Sequence, residues 1–234
     1  LTHPHIPPIH MLAHDIEGNP LIIMRKIEGV TWYEIIKDPQ HSFWQNLDED
    51  IDQLDFHLDV LEKIAQTLSY AHNQGVIHRD LKPTNVMVGV HGEVYLLDWG
   101  IALHLETAYS DHSETPFKSQ RFSHLHEQIL GSPAYMPAEM ARADFYNQGP
   151  ATDIYFLGAN LFYLLTKKAI HRGDTLAGLL RNILTGHLTP IPDSLTPEMK
   201  ELITVSLITN SQKRLSCAQE FVRLLRIARQ ANKS

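Results

Sequence analysis

Residues 76–89 read VIHRDLKPTNVMVG, and residues 93–100 read EVYLLDWG. Two short apolar runs, VMV (86–88) and EVYLL (93–97), flank GVHG (89–92), a turn with glycine at both ends. This pattern predicts a β-hairpin. In an antiparallel hairpin the residue before the first strand lies beside the residue after the second, so Asn85 and Asp98 are expected together at the open end. One amide and one carboxylate make a poor cage alone. They suit a Mg²⁺ ion that keeps waters and takes its other ligands from phosphates. Asp80 lies five residues before Asn85 on the incoming loop, where it can orient an attacking hydroxyl. Lys82 falls in the same region and can neutralise charge on a transferred phosphoryl group. A lone Asp here would be read as a turn cap; the ordered set Asp80, Lys82, Asn85, Asp98, Gly100 points instead to phosphate and metal chemistry.

The rest of the composition is permissive. The chain has 234 residues, 43% hydrophobic and 20% charged, enough for one large domain or two small ones with a buried core. A formal charge of −7 argues against a nucleic-acid partner, which selects a basic face. A single cysteine, Cys217, cannot form an internal disulfide, so the fold needs no oxidising compartment and the cytoplasm is the default location. The opening LTHPHIPPIH is not a signal peptide. The longest apolar run, near 154–165, is shorter than the ~20 residues of a membrane span and reads as a buried core helix.

Along the chain, residues 10–16 and 20–27 read as a β-hairpin around a polar turn at 17–19, and a short helix starts after Gly29. Residues 53–74 place Leu54, Leu58, Leu61, Ala65, Leu68 and Ala71 at helical spacing, with Gly75 as a stop. Further helices are expected over 153–166, 175–185, 197–208 and 216–230. The acids Asp48, Glu49, Asp50 and Asp52 are not a calcium loop, because the required glycine and glutamate positions hold Gln53 and Asp59. They are read as acids favoured at a helix start. The fifteen histidines show no compact ligand spacing and are read as surface or core residues.

HRDLKPTN (78–85) with DWG (98–100) resembles the catalytic loop and metal-binding triplet of protein kinases, most closely the eukaryotic-like Ser/Thr kinases of bacteria. LTHPHIPPI (1–9) resembles the turn that leaves the family's regulatory helix. IIMRKIEG (22–29) resembles the strand ending in the adenine-gripping hinge, with Met24 as gatekeeper. GSPAYMPAEM (131–140) resembles the substrate-side segment, and DIYFLGANLFYLLT (153–166) the buried helix whose Asp153 supports the catalytic loop. Arg214 matches the arginine that pairs with the Glu of the substrate segment, here Glu139.

The resemblance implies an α+β, protein-kinase-like fold. Residues 1–27 would be a remnant of the β-rich N-terminal lobe and hinge strand. Residues 28–234 would be the helical C-terminal lobe, with catalytic loop 78–85, metal triplet 98–100 and activation segment 98–139. It implies an ATP-dependent Ser/Thr kinase acting on protein hydroxyls, with ATP and Mg²⁺ as cofactors. Asp80 would accept the hydroxyl proton, and Lys82 would contact the γ-phosphate. Asn85 and Asp98 would hold Mg²⁺, the backbone at Arg25 and Ile27 would meet adenine, and Met87 would lie under the ring. His78 and Gly100 complete the two motifs, and Arg79 is where the family anchors a phosphorylated loop. Lys82 with Ser132 implies Ser/Thr rather than Tyr as acceptor.

Three departures qualify the match. Trp99 replaces the usual Phe and makes a larger plug. Pro137 and Ala138 reverse the usual Ala-Pro order. No Gly-rich strand pair and no strand Lys with its helix Glu precede residue 10, so the sequence reads as truncated by roughly 80 residues. Such a piece is expected to transfer phosphate poorly alone, and residues 10–27 to show one apolar face uncovered. The polar stretch 101–130 offers Thr107, Ser110, Ser113, Thr115, Ser119 and Ser123 as phosphate acceptors. The alternative reading is a pseudokinase or scaffold acting by protein binding. A small-molecule phosphotransferase is disfavoured by Lys82 and the 131–139 segment.

Overall fold

Near residue 30 the apolar spacing changes from period two to period 3.6, and the architecture changes with it. The structure, a computed structural model, describes residues 1–47, 50–105 and 133–233. Strands β1 (Ile9–His14) and β2 (Pro20–Met24) form the expected antiparallel hairpin, with Met11 opposite Ile23 and Leu12 opposite Ile22. The turn is set by the Asp15 carboxylate, which accepts from the Glu17 and Asn19 amides at 2.8 Å each, and by Gly18 at φ +84°. The strands end earlier than expected, at His14 rather than 16 and at Met24 rather than 27; Arg25 N–H instead donates to Pro8 O. The expected single uncovered face is also corrected. Leu12 and Ile22 are 73% and 55% exposed, and Met11 and Ile23, on the opposite side, are 57% and 44%. Alternating side chains serve two faces, and nothing described covers either.

Residues 1–8 tie this hairpin to the helical body. His3 stacks on Tyr70, His5 Nδ1 meets Val94 O at 2.8 Å, and Leu96 N–H donates to His5 O.

A second sheet has the order β3-β5-β6, from Gly29–Thr31, Val86–Gly89 and Val94–Leu96. β5 and β6 are the hairpin read from the sequence; β3, three residues long, was not expected. It can approach because a Cβ at Gly29 would lie 2.2 Å from Val88 O, a contact only glycine avoids. Thr31 then caps α1 (Trp32–Lys37) in a capping box with Glu34. A two-stranded ladder pairs β4 (Val76–Ile77) with β7 (Leu103–His104).

Helix α2 (Gln53–Asn73) begins at Asp52, whose carboxylate accepts from the Leu54 and Asp55 amides, as the helix-start reading of that acid expects. The remaining helices are α3 (Ala138–Ala141), α4 (Pro150–Thr166), α5 (Leu176–Thr185), α6 (Pro197–Ser206) and α7 (Ala218–Ala231). Leu58, Leu61, Ile64 and Leu68 of α2 share one core with Val86 and Val88 of β5, Phe156, Leu157 and Phe162 of α4, and Phe221 and Leu225 of α7. Each such side chain, fully buried, contributes about 1.5–3 kcal/mol. α4 is apolar nearly all round, as a central helix must be. Its polar residues Thr152, Asp153 and Asn160 are buried with it and position the site. Among the described residues no helix is long and apolar enough to cross a membrane.

Candidate active site

Asp153 is where the site is built. It is fully buried on α4, and its two carboxylate oxygens accept three bonds of 2.8 Å. Oδ2 takes the His78 amide and His72 Nε2; Oδ1 takes the Arg79 amide. Burial alone would raise this carboxyl, but the hydrogen bonds from His72 and from the Arg79 amide hold it below its ordinary value. An ionised Asp153 thus fixes the start of the 78–85 loop. Arg79 sits there at φ +72°, an uncommon conformation for a residue with a side chain and one kept only where neighbours over-determine it.

His78, also fully buried, carries the constraint across to the next strand. Its Nδ1 accepts from the Asp80 amide at 3.2 Å, so Nε2 bears the proton and donates to Leu97 O at 2.9 Å. Burial pushes the imidazole pKa down and keeps the ring neutral. The ring meets Trp99 edge-on at 4.6 Å between centroids, and Trp99 Nε1–H donates to Leu96 O. A phenylalanine could fill that volume but could not make the second bond, so the departure at Trp99 adds a tether.

Asp80 points into a cluster with Lys82 and Asn85. Lys82 Nζ lies 2.8 Å from Asp80 Oδ2. Asn85 Nδ2 donates to Asp80 O at 2.8 Å and to Asp80 Oδ2 at 3.1 Å. Asn160 on α4 supports the loop from below through Leu81 O at 3.1 Å. At the hairpin's open end Leu97 N–H donates to Asn85 O, placing Asp98 one residue beyond that rung, exposed and at φ +59°. The close side-chain partner of Asn85 is therefore Asp80 on its own loop, while Asp98 Oδ1 faces the Gly100 amide at 3.4 Å.

These residues fit a phosphate-bound divalent cation. Both Asn85 bonds leave through Nδ2, so its amide oxygen is the end that can meet a metal, and the exposed Asp98 carboxylate supplies charge. Among the described residues no three His, Cys, Asp or Glu form a metal cage. Two protein oxygens completed by phosphate oxygens and water is the donor set that Mg²⁺ accepts.

Arg79 extends from this loop to Ile101 O at 3.2 Å and over the Phe145 ring at 5.6 Å. The 133–140 segment is anchored through Glu139. Arg214 and Glu139, each 3% exposed, form a two-point pair at 2.7 and 3.1 Å, and Arg214 also donates to Ala151, Ile208 and Thr209 carbonyls. The inverted Pro137–Ala138 order is accommodated: Pro137 is the N-cap of α3 and Glu139 falls in its first turn. Ser132 and the six candidate phosphate acceptors between 107 and 123 lie outside the described residues. Met87 is half-buried on β5 opposite Thr31, whereas Met24 and Arg25 are exposed and Ile27 is half-buried. Asn160 and His72 were missed by motif reading. Asn160 lies on the apolar α4 and His72 near the end of the amphipathic α2, where one polar residue on the buried face is the available signal.

A buried Asp under the loop, the Asp80–Lys82–Asn85 cluster and the Glu139–Arg214 pair occur in one frame, and residues 12–223 match the family model described as the protein kinase domain. The chain belongs to the protein kinase family. Serine/threonine-protein kinase PknD of Protochlamydia amoebophila is 31% identical over 95% of this chain, and PknD of Chlamydia trachomatis serovar D is 30% identical over 94%. PknD of Chlamydia caviae is 34% identical over 71%. The chain spans 24% of the length of the first two and 18% of the third. The family uses ATP and a divalent metal in general.

Proposed function

We propose that the natural protein carrying this chain is a Ser/Thr protein kinase that moves the γ-phosphoryl group of ATP to protein hydroxyls. The single observation that carries the reading is the Asp80–Lys82–Asn85 cluster, held on a loop that Asp153 and His78 lock to the core. Asp80 orients the acceptor hydroxyl and takes its proton. Lys82 balances charge near the transferring group and, 2.8 Å from Asp80 Oδ2, keeps that carboxylate aimed. Asn85 and Asp98 would hold Mg²⁺, which when bound supplies charge stabilisation at the phosphates. Lys82, and the relatives named as serine/threonine-protein kinases, support Ser/Thr as acceptor.

The finer assignments belong to the same reading. Residues 1–27 belong to the smaller lobe and 28–234 to the larger, and the apolar side chains exposed on both faces of β1–β2 suit a surface that further chain would cover. Met24, Arg25, Ile27 and Met87 line the adenine position. Protein substrates rather than nucleic acid are the partners, consistent with the charge of −7, and the location is the cytoplasm. Retention of Asp80, Lys82, Asn85 and Asp98 together favours catalysis over a scaffold.

The test is a pair of variants in the full natural chain, read by nucleotide affinity and single-turnover rate with magnesium present. Asp80→Asn should abolish most turnover, by about 10²-fold or more, with nucleotide affinity nearly unchanged. Asp98→Asn should weaken Mg²⁺-nucleotide binding as well as turnover. Identical profiles for the two, or no effect of either, would overturn the roles assigned.

A further inference from the structure

Behind the substrate-side segment lies a buried pair that the chemistry above does not use. Tyr155 and His171 are 2% and 1% exposed, with rings parallel within 9° and the Tyr155 Oη–His171 Nε2 distance only 2.6 Å. His171 Nδ1 faces His187 O at 3.4 Å, so Nδ1 carries the proton and Nε2 accepts the Tyr155 O–H. The main-chain N–H of His171 donates to Ala134 O at 3.2 Å, within the 133–135 turn. Over the Tyr155 ring, 4.8 Å from its centroid, lies the Arg214 guanidinium that grips Glu139. The 133–139 segment is thus held at Glu139 by Arg214 and at Ala134 by His171, and Tyr155 touches both holders.

We propose that His171, acting through Tyr155 and Ala134, is a positioning residue for the acceptor protein. The pair sets the height of the 133–136 turn above α4 and so the place where an acceptor peptide lies. This rests on the kinase reading of the site. A purely apolar residue at 171 would fill space but would leave the buried Tyr155 hydroxyl without its acceptor. Burial pushes His171 down to about 4 and Tyr155 upward, so the pair stays neutral at physiological pH and acts as a fixed spacer.

Two measurements on the full natural chain test this, with Tyr155→Phe, His171→Ala and His171→Gln. The first is amide exchange without acceptor. Tyr155→Phe and His171→Ala should speed exchange at 134–136 by about tenfold while leaving 78–85 unchanged, and His171→Gln, which restores an acceptor for Tyr155, should recover most of the protection. The second is steady-state kinetics: KM for the acceptor protein should rise by about tenfold, with KM for ATP within about twofold of wild type. Unchanged exchange at 134–136, or equal loss at 78–85 and 134–136, would overturn the proposal. So would a KM for ATP that rises as much as that for the acceptor. A wild-type protein with no transfer to any acceptor would overturn the kinase reading, and the exchange pattern would still decide whether His171 positions the turn. Tyr155→Phe removes one oxygen without opening a cavity and keeps the test decisive if His171→Ala does not fold.

Discussion

The 78–85 loop and the β1–β2 hairpin are both short, both joined by tight turns, and held in opposite ways. The loop has little regular structure, yet its backbone is fixed by the Asp153 and Asn160 side chains of α4, Asp153 being held in turn by His72 of α2, and its His78 ring is bonded to Leu97 O. The hairpin has a paired ladder, shifted in register only between Ile9 and Met11, and a well-capped turn, yet its apolar side chains are exposed on both faces. Ladder hydrogen bonds give the hairpin its shape, whereas burial and polar satisfaction give the loop its rigidity. Secondary structure is therefore a poor guide to which region is held hardest. The site sits on the irregular one because only tertiary contacts can keep Arg79 at φ +72°.

The largest effect that can break this comparison is at Asp153. Asp153→Ala leaves two backbone amides and His72 without their acceptor in a fully buried place, and should cost about 3–5 kcal/mol in a urea melt. A cost below about 1 kcal/mol would mean that the loop does not depend on α4.

An effect of intermediate size is expected on acidification, in the helical body behind the loop and not in the hairpin. His57 is pushed down to about 3 and His171 to about 4, in both cases chiefly by burial. Below the ordinary histidine value near 6.5 the unfolded chain takes up protons that the folded chain refuses, so stability is present above that pH and is lost as pH falls towards 4. Each histidine contributes a slope of up to about 1.4 kcal/mol per pH unit in that window. Urea midpoints from pH 7 to 4.5 should fall accordingly, and His57→Gln should flatten the fall by about one proton. A midpoint that stays level from pH 7 to 4.5 would contradict the burial of these rings.

The smallest effect belongs to the hairpin. Leu12→Ser with Ile22→Ser should change the stability of the 234-residue chain by no more than about 0.5 kcal/mol, because neither side chain is taken out of water. The same pair should reduce self-association in sedimentation, since it removes exposed apolar surface. A loss of several kcal/mol would show the hairpin to be part of the core after all.

Much of this was readable from local chemistry. The β5–β6 hairpin followed from two apolar runs about a glycine-bounded turn. The helices followed from 3.6-residue spacing, with ends within a few residues of those found. Asp80, Lys82 and Asn85 were identified by their order, and Arg214 and Glu139 by resemblance, although they are 75 residues apart. What local chemistry misjudged was pairing at a distance. The three residues of β3 carry too little alternation to read as a strand, and they pair only because Gly29 lets the backbone reach Val88. The hairpin register brings Asp98 near Asn85 in the chain path, but the amide turns to Asp80, the oxygen on its own loop. The inverted Pro137–Ala138 order looked disruptive, yet proline needs no N–H at a helix cap and the anchor at Glu139 is kept.

By itself, then, the sequence determined the long helices, the two hairpins and which residue types gather in the candidate site, because these are written in spacing and side-chain type. Only the tertiary structure decided that His78 ties the loop to Leu97, that Trp99 is tethered to Leu96, and that Tyr155 and His171 stand behind the 133–135 turn. Those are bonds between buried polar groups far apart in the chain. A buried donor must find whichever acceptor packing brings to it, and packing belongs to the whole fold rather than to any one stretch.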